Sequence, residues 1–160
     1  IRDSIMSIRG PEPHGPEHFH EQLGDILYEH CGVSRTVEGL EEGIRKIRAL
    51  REDFWTNISI PGSPNDMNQT LEAALRLVDY INLGELMCID ALDRDESCGA
   101  HVRDDHQTPE GEADRVDDKW CFVSAWESTG SEKGGERSFI RHAEPLTFDK
   151  VPLMTRNYKE

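Results

Sequence analysis

The sequence predicts a mainly α fold: a three-helix antiparallel (spectrin-repeat-like) bundle followed by an extended tail with a candidate small β-hairpin. Three observations lead there. Apolar residues recur at 3, 4 and 7 positions over three long stretches before residue 94. The connections between those stretches are short, which favours antiparallel neighbours. After Asp93 the helical periodicity stops, and acids, glycines and prolines take over.

Ile1, Ile5 and Ile8 stand at helical spacing and read as the end of a helix that began upstream, with Gly10–Gly15 as a linker. The bundle is expected over 16–94. Pro16 suits the first turn of a helix, because its missing N–H is not needed there. Phe19, Leu23, Ile26, Leu27 and His30 make one face, and Gly32 is placed to end the helix. Thr36 is a good N-cap for the next, with Glu38 favoured by the helix dipole. Leu40, Ile44, Ile47, Leu50 and Phe54 follow, and only the charged Arg51 is off pattern. The other face (Glu41, Glu42, Arg45, Lys46, Arg48, Glu52) reads as solvated.

Asn57 to Asp66 is a loop rich in Pro and Gly. Leu71, Ala74, Leu75, Val78, Ile81, Leu86, Ile89 and Leu92 then make a third helix, with Leu75, Val78 and Ile81 expected to point inward. Gly84 within it costs helix stability and implies close approach of another element. Residues 95–120 are expected to be an acidic loop, fixed only if something else holds it. From Asp90 to Lys119 the sequence has eleven acids against four bases. Residues 121–160 are read as hairpin and tail: a strand over Cys121–Trp126, a turn-rich insert over Ser128–Gly135, and a return over Arg137–His142. Leu146, Phe148, Val151 and Leu153 alternate with polar residues and suit an extended tail laid against a surface.

The chain has 32 acidic and 18 basic residues and a formal charge of -14. Such a surface repels phosphate backbones and anionic lipid, so nucleic acid is excluded as a partner. No apolar run is long enough to insert directly in a membrane, and no signal peptide opens the chain. Its start, Ile-Arg-Asp-Ser-Ile without Met, reads as cut from something longer. Cys31, Cys88, Cys98 and Cys121 form no C-x-x-C pair and read as free thiols in a reducing compartment.

A complete chemical constellation is missing. There is no G-x-G-x-x-G, no Walker pattern and no G-x-S-x-G. Cys31 beside His30 suggests a thiol nucleophile, but adjacent helical residues point apart and no Asn or Asp orienter is placed. His14, His18 and His20 lie close together, with His30 and Cys31 one helix-length on. Gly15-Pro16 interrupts the first pair, and zinc sites show tighter Cys/His pairing, so surface or core histidines are the better reading. A self-standing helical binding module, metal-loaded through those N-terminal histidines, remains the alternative from a different class.

The stretch from Arg94 to Asp105 interleaves small and polar residues. Gly99 and Ala100 remove side-chain bulk, while Glu96, Ser97, His101, Arg103 and Asp105 offer polar groups. Such a pattern lets a backbone approach another surface closely. An ordinary helix end and turn would give it too.

Taken together, Gly24-Asp-Ile-Leu-Tyr-Glu-His-Cys-Gly-Val-Ser-Arg-Thr-Val-Glu-Gly-Leu40 resembles a helix–turn–helix segment of the succinate dehydrogenase/fumarate reductase flavoprotein subunit. Ala91-Leu-Asp-Arg-Asp-Glu-Ser-Cys-Gly-Ala-His-Val-Arg-Asp-Asp105 is similar to that family's A-L-x-R-x-E-S-R-G-A-H-x-R-x-D signature, and Asp117-Asp118-Lys119-Trp120 to the D-D-x-W that follows. Two departures stand out: Cys98 replaces the usual Arg, and the insert Gln107–Ala113 lengthens the spacing. The same helical region occurs in L-aspartate oxidase and adenylylsulfate reductase, but the tail and the match through Trp120 favour the succinate/fumarate branch.

The resemblance implies a piece of a flavoprotein whose FAD, substrate-binding and proton-donating residues all lie in other parts of the subunit. It therefore implies no catalytic, cofactor-binding or metal residue here. The expected partners are the FAD and capping domains of the same subunit and the iron–sulfur subunit. The expected place is the cytoplasmic side of the inner membrane, peripheral through partner subunits. Glu96, Ser97, Gly99, Ala100, His101, Arg103 and Asp105 are the expected inter-domain contact, with His101 and Arg103 donating hydrogen bonds across it. In this chain alone that segment is expected to be exposed.

Overall fold

The computed structural model describes residues 1–130 and 139–154. The chain divides into two compact units, Ile1–Asp93 and Arg94–Glu160. It is mainly helical: three longer packed helices are followed by a small antiparallel β-pair.

The first unit holds α1 (Arg2–Met6), α2 (Pro16–His30), α3 (Val37–Asn57) and α4 (Gln69–Asp93), with a two-residue strand segment β1 (Ser34–Arg35). Each of the three longer helices packs on the other two, and α1 packs on α4. Phe19 of α2 and Phe54 of α3 are fully buried edge to face, with ring centres 5.4 Å apart. Burying a side chain of that size contributes about 1.5–3 kcal/mol relative to leaving it exposed. Leu40 and Ile47 of α3 and Ala74, Leu77 and Ile81 of α4 complete the centre of the core. Val78 and Ile81 are buried as expected, whereas Leu75 is only partly buried and Leu77 takes the inner place.

Local signals explain where the helices begin. Pro16 occupies the first turn of α2, and the Thr36 hydroxyl accepts from the Gly39 N–H at 3.0 Å to open α3. The side chain of Asn68, a cap the periodicity did not reveal, accepts from the Leu71 N–H at 3.0 Å at the start of α4. The end of α2 differs from expectation. Its C-cap is Cys31 at φ -124°, and Gly32 does not take a positive φ. A Cβ on Gly32 would stand 3.0 Å from the Tyr28 carbonyl oxygen, so the glycine supplies room and not handedness. Gly84 does mark a close approach, since a Cβ there would lie 3.2 Å from Leu23 Cδ1 and 3.3 Å from Leu27 Cδ1 of α2.

The linker before α2 is tied to the end of α3. The His14 N–H donates to the Asn57 carbonyl at 3.0 Å, and the Ser59 N–H to the His14 carbonyl at 2.8 Å. Ile5, in α1, is 1% exposed and belongs to the core.

Two off-pattern charges meet inside the unit. Arg51 of α3 is 3% exposed and donates to Glu85 of α4, which is 0% exposed. Arg48 adds a second donor to the same carboxylate, Nε to Oε1 at 2.7 Å. Arg48 thus departs from its expected solvated role.

The second unit holds the strand segment β2 (Val102–Arg103), α5 (Asp117–Trp120) and the strands β3 (Phe122–Ser128) and β4 (Phe139–Pro145). β3 and β4 pair antiparallel, with Phe122 opposite Pro145 and Ser128 opposite Phe139. Each expected strand is present, its ends shifted one to three residues toward the C-terminus. Along β3, Phe122, Ser124 and Trp126 are half-buried while Val123, Ala125 and Glu127 are exposed, the two-residue period of a strand. Residues 131–135 of the expected insert and residues 137–138 of the expected second strand lie outside the described residues.

Candidate functional site

The segment from Arg94 to Trp120 contains no run of apolar residues, yet it is tightly ordered by its own polar groups. Glu96 is 1% exposed, and its two oxygens have separate tasks. Oε1 accepts from Nε and an NH2 nitrogen of Arg94 at 2.9 and 2.6 Å, and Oε2 accepts from the Val116 N–H at 2.8 Å. Ser97, 0% exposed, uses its hydroxyl twice: it accepts from the Arg103 N–H at 2.8 Å and donates to the Arg103 carbonyl at 3.2 Å. The Arg103 guanidinium, itself buried, grips Asp105 with two parallel bonds of 2.9 and 2.8 Å. Charge-assisted bidentate pairs of this kind are stronger than neutral bonds and fix geometry. That arginine holds the Asp105 carboxyl below its usual range.

Between these anchors the chain turns back on itself. Cys98 and His101 exchange two backbone bonds, at 2.8 and 3.1 Å, so Gly99 and Ala100 form a two-residue loop. Gly99 sits at φ +61° and Ala100 does not take a positive φ, the pattern of a II′ turn. A Cβ on Gly99 would meet nothing within 4 Å, so within this chain the glycine answers a conformational need and not a steric one. The His101 ring shares a 2.9 Å hydrogen bond with the Arg94 carbonyl oxygen, its Nε2–H donating.

The seven residues expected to form a contact are thus drawn into one structure, but not all at its surface. Gly99 and Ala100 are exposed at the tip. Glu96, Ser97 and Arg103 are buried, which corrects the expectation that the whole segment is exposed. The reason is that each buried polar atom named above finds its partner nearby, so burial carries no desolvation penalty left unpaid. The expectation of a loop needing an external hold is corrected on the same ground. The insert closes on itself as well, with Gln107 bridged to Ala113 and the Thr108 N–H bonded to the Glu112 carbonyl at 2.8 Å. His106 lies 2.7 Å from Asp95 and holds that carboxyl below its usual range, and Arg115 does the same to Asp117.

Among the described residues no group of three or more His, Cys, Asp or Glu is arranged to hold a metal ion. His14 and His18 stack face to face with ring centres 4.0 Å apart, and His18 is hydrogen-bonded to Gln22 at 2.6 Å.

One arrangement was not legible in the sequence. Cys31 does face a partner, but it is Cys88 of α4, hydrogen-bonded to it, and not His30. Nothing in the spacing of the two residues signals it, because they come together only through the packing of α2 on α4.

A family model described as "Fumarate reductase flavoprotein C-term" matches residues 20–158. The fumarate reductase flavoprotein subunit of Proteus vulgaris is 32% identical over 106 residues, covering 64% of this chain and 17% of the relative. That of Escherichia coli is 33% identical over 85 residues, covering 53% of this chain and 14% of the relative. This chain therefore spans about a sixth of the length of these curated relatives. Among solved structures, a chain of E. coli quinol fumarate reductase superposes with a TM-score of 0.74 at 22% identity, over 96% of this chain and 24% of that one. A chain of the Mycobacterium smegmatis Sdh1 complex gives 0.72 at 19% identity, over 91% and 23%. Both share the fold. On the reach of the family match, which takes in α3, α4, the 94–120 segment and the β-pair, this chain belongs to the fumarate reductase/succinate dehydrogenase flavoprotein C-terminal domain family.

Proposed function

We propose that this chain is the helical C-terminal domain of a flavoprotein that oxidises succinate or reduces fumarate, and that it supports the flavin domain and the contact with the iron–sulfur subunit without carrying catalysis itself. FAD is held by the rest of that subunit, where it supplies the two-electron chemistry. The observation that carries the reading is the 94–120 segment. Three buried polar residues, Glu96, Ser97 and Arg103, are given over to holding a two-residue tip, Gly99-Ala100, out in the open. A firm base under a small, exposed tip suits close approach by another backbone.

A second feature points the same way. Leu146, Phe148, Val151, Leu153 and Met154 are between 42% and 70% exposed along the tail. A row of apolar side chains left in water is the usual mark of a surface that another protein covers. No helix among the described residues is long and apolar enough to cross a membrane. Attachment to the cytoplasmic side of the inner membrane would then run through partner subunits.

Ala100→Arg tests the contact. The arginine projects from an exposed tip, so the melting of this chain alone should change by no more than about 0.5 kcal/mol, as surface substitutions do. In the full-length flavoprotein the same change should lower flavin retention, succinate-dependent dye reduction or capture of the iron–sulfur subunit. Unchanged behaviour in all three assays would remove the tip from the contact.

A further inference from the structure

Cys31 and Cys88 come from distant parts of the sequence and meet in the core of the first unit. Cys31 is the C-cap of α2, and Cys88 lies in the C-terminal half of α4. Both thiols are free and both are buried, Cys88 at 0% exposure and Cys31 at 7%. They are hydrogen-bonded to one another, the Cys88 S–H donating to the Cys31 sulfur. α3 makes room for them with a glycine: a Cβ on Gly43 would stand 3.5 Å from Cys88 Sγ and 2.9 Å from the Cβ of His30. Arg35 faces Cys31 from the segment after α2, and Asp90 faces it from α4, while Glu85 faces Cys88 from its own helix.

We propose that Cys31 and Cys88 form a reversible thiol–disulfide site that a hydroperoxide oxidises and a dithiol reduces. The two sulfurs are not equivalent. The hydrogen bond from Cys88, with help from Arg35 and against burial and Asp90, lowers the Cys31 thiol to about 7. The same bond, burial and the charge of Cys31 push the Cys88 thiol well above the usual range. Cys31, at the end of α2 and the more exposed of the two, is the sulfur a peroxide reaches and so the attacking thiolate, and the fully buried Cys88 is the resolving thiol.

In the first step the Cys31 sulfur attacks one peroxide oxygen. An S–O bond forms, the O–O bond breaks, and the departing hydroxide takes a proton to become water. In the second step the Cys88 sulfur attacks the Cys31 sulfenic acid. The S–S bond forms, the S–O bond breaks, and the hydroxyl leaves with the Cys88 proton as a second water. Two thiols lose two electrons and two protons, and one peroxide becomes two waters. The product ties the end of α2 to α4.

The test uses the reduced full chain with Cys98→Ser and Cys121→Ser as background. It is exposed to stoichiometric hydrogen peroxide, quenched in acid, alkylated under denaturing conditions and mapped by mass spectrometry. The expected product joins the Cys31 and Cys88 peptides within one chain, two hydrogens lighter, and dithiothreitol reverses it. Its rate should rise about tenfold from about pH 6 to about pH 8, following the thiolate fraction of Cys31. Cys88→Ala should instead leave a Cys31 sulfenic acid that dimedone traps. Complete alkylation of both cysteines after the peroxide is consumed would overturn the proposal. So would cross-links only between chains, or Cys31 driven to sulfinic acid while Cys88 stays free.

Discussion

The two units of this chain bury different chemistry. Of the buried apolar residues among those described, all but Trp120 lie in the first unit. Among the described residues of the second unit, those removed from water besides Trp120 are Glu96, Ser97 and Arg103. The first unit is held by hydrocarbon contact between helices, which is non-directional and tolerant of small shifts. The second is held by hydrogen bonds between named atoms, which are directional and fail one at a time. The same length of chain thus has one region built for bulk stability and one built to fix a shape.

The largest effect should come from the place where the first unit borrows the rule of the second. Glu85→Ala leaves Arg51 buried without its carboxylate, and breaking such a pair costs about 3–5 kcal/mol. A urea unfolding curve displaced by less than about 1 kcal/mol would mean that water reaches Arg51, and the contrast between the units would blur.

Glu96→Gln should cost less, about 1–3 kcal/mol, the scale of a buried polar group losing its partner. Its effect should stay local. Hydrogen exchange should speed up at the Val116 and Ser97 amides and stay unchanged in α3; loss of protection in both units would make them one cooperative structure.

Two glycine substitutions compare the units more finely. Gly43→Ala forces a methyl to within 2.9 Å of His30 Cβ, and overpacking of this kind costs about 1–3 kcal/mol. Gly99→Ala meets no atom within 4 Å, so its cost is only the left-handed backbone, about 1–2 kcal/mol. Gly99→Asn, which tolerates that conformation better, should recover part of the loss at residue 99, whereas at residue 43 the same replacement should worsen it. Thermal melts of the four variants decide this.

Acid should act on the second unit with the smallest effect. Asp95, Asp105 and Asp117 are all held below the usual carboxylate range, by His106, Arg103 and Arg115 respectively. A carboxylate depressed in the folded state stabilises it above the unfolded value and loses that contribution as pH falls through the folded one. Stability should therefore be flat down to about pH 4 and decline below it. Fluorescence of Trp120 and Trp126 in a Trp55→Phe background follows this; a decline beginning near neutral pH would contradict the cause given.

The helices were legible because burial of apolar side chains writes a period into the sequence, and the strands because Phe122, Ser124 and Trp126 alternate. Leu75 was misplaced in favour of Leu77 because the apolar face of α4 is broad enough for either residue to lie inward. The candidate site was legible only as a family signature. Burial of Glu96 and Arg103 follows no period, since what matters is which atoms meet, and the meeting of Glu96 with Val116 spans an insert of unusual length. The Arg51–Glu85 pair sits between these cases. Arg51 interrupts one apolar face, and Glu85 falls four residues after Ile81 on another; two interruptions of opposite sign were a signal for each other. The Cys31–Cys88 meeting left no such trace.

The Arg51–Glu85 pair also sets the register of the helices. An apolar face alone offers several alignments, because one leucine fills a gap about as well as the next. A slide of α4 by one turn along α3 would carry Ile81 or Ile89 to the position of Glu85. The guanidinium of Arg51 would then be sealed against hydrocarbon, and Glu85 would be displaced from both of its arginines. The correct alignment is separated from its neighbours by the cost of a stranded charge on each helix, several kcal/mol by general experience of buried ions. Gly84, adjacent in sequence, meets Leu23 and Leu27 of α2 in that same alignment. One carboxylate therefore works as an indexing pin that fixes how α4 lies along α3.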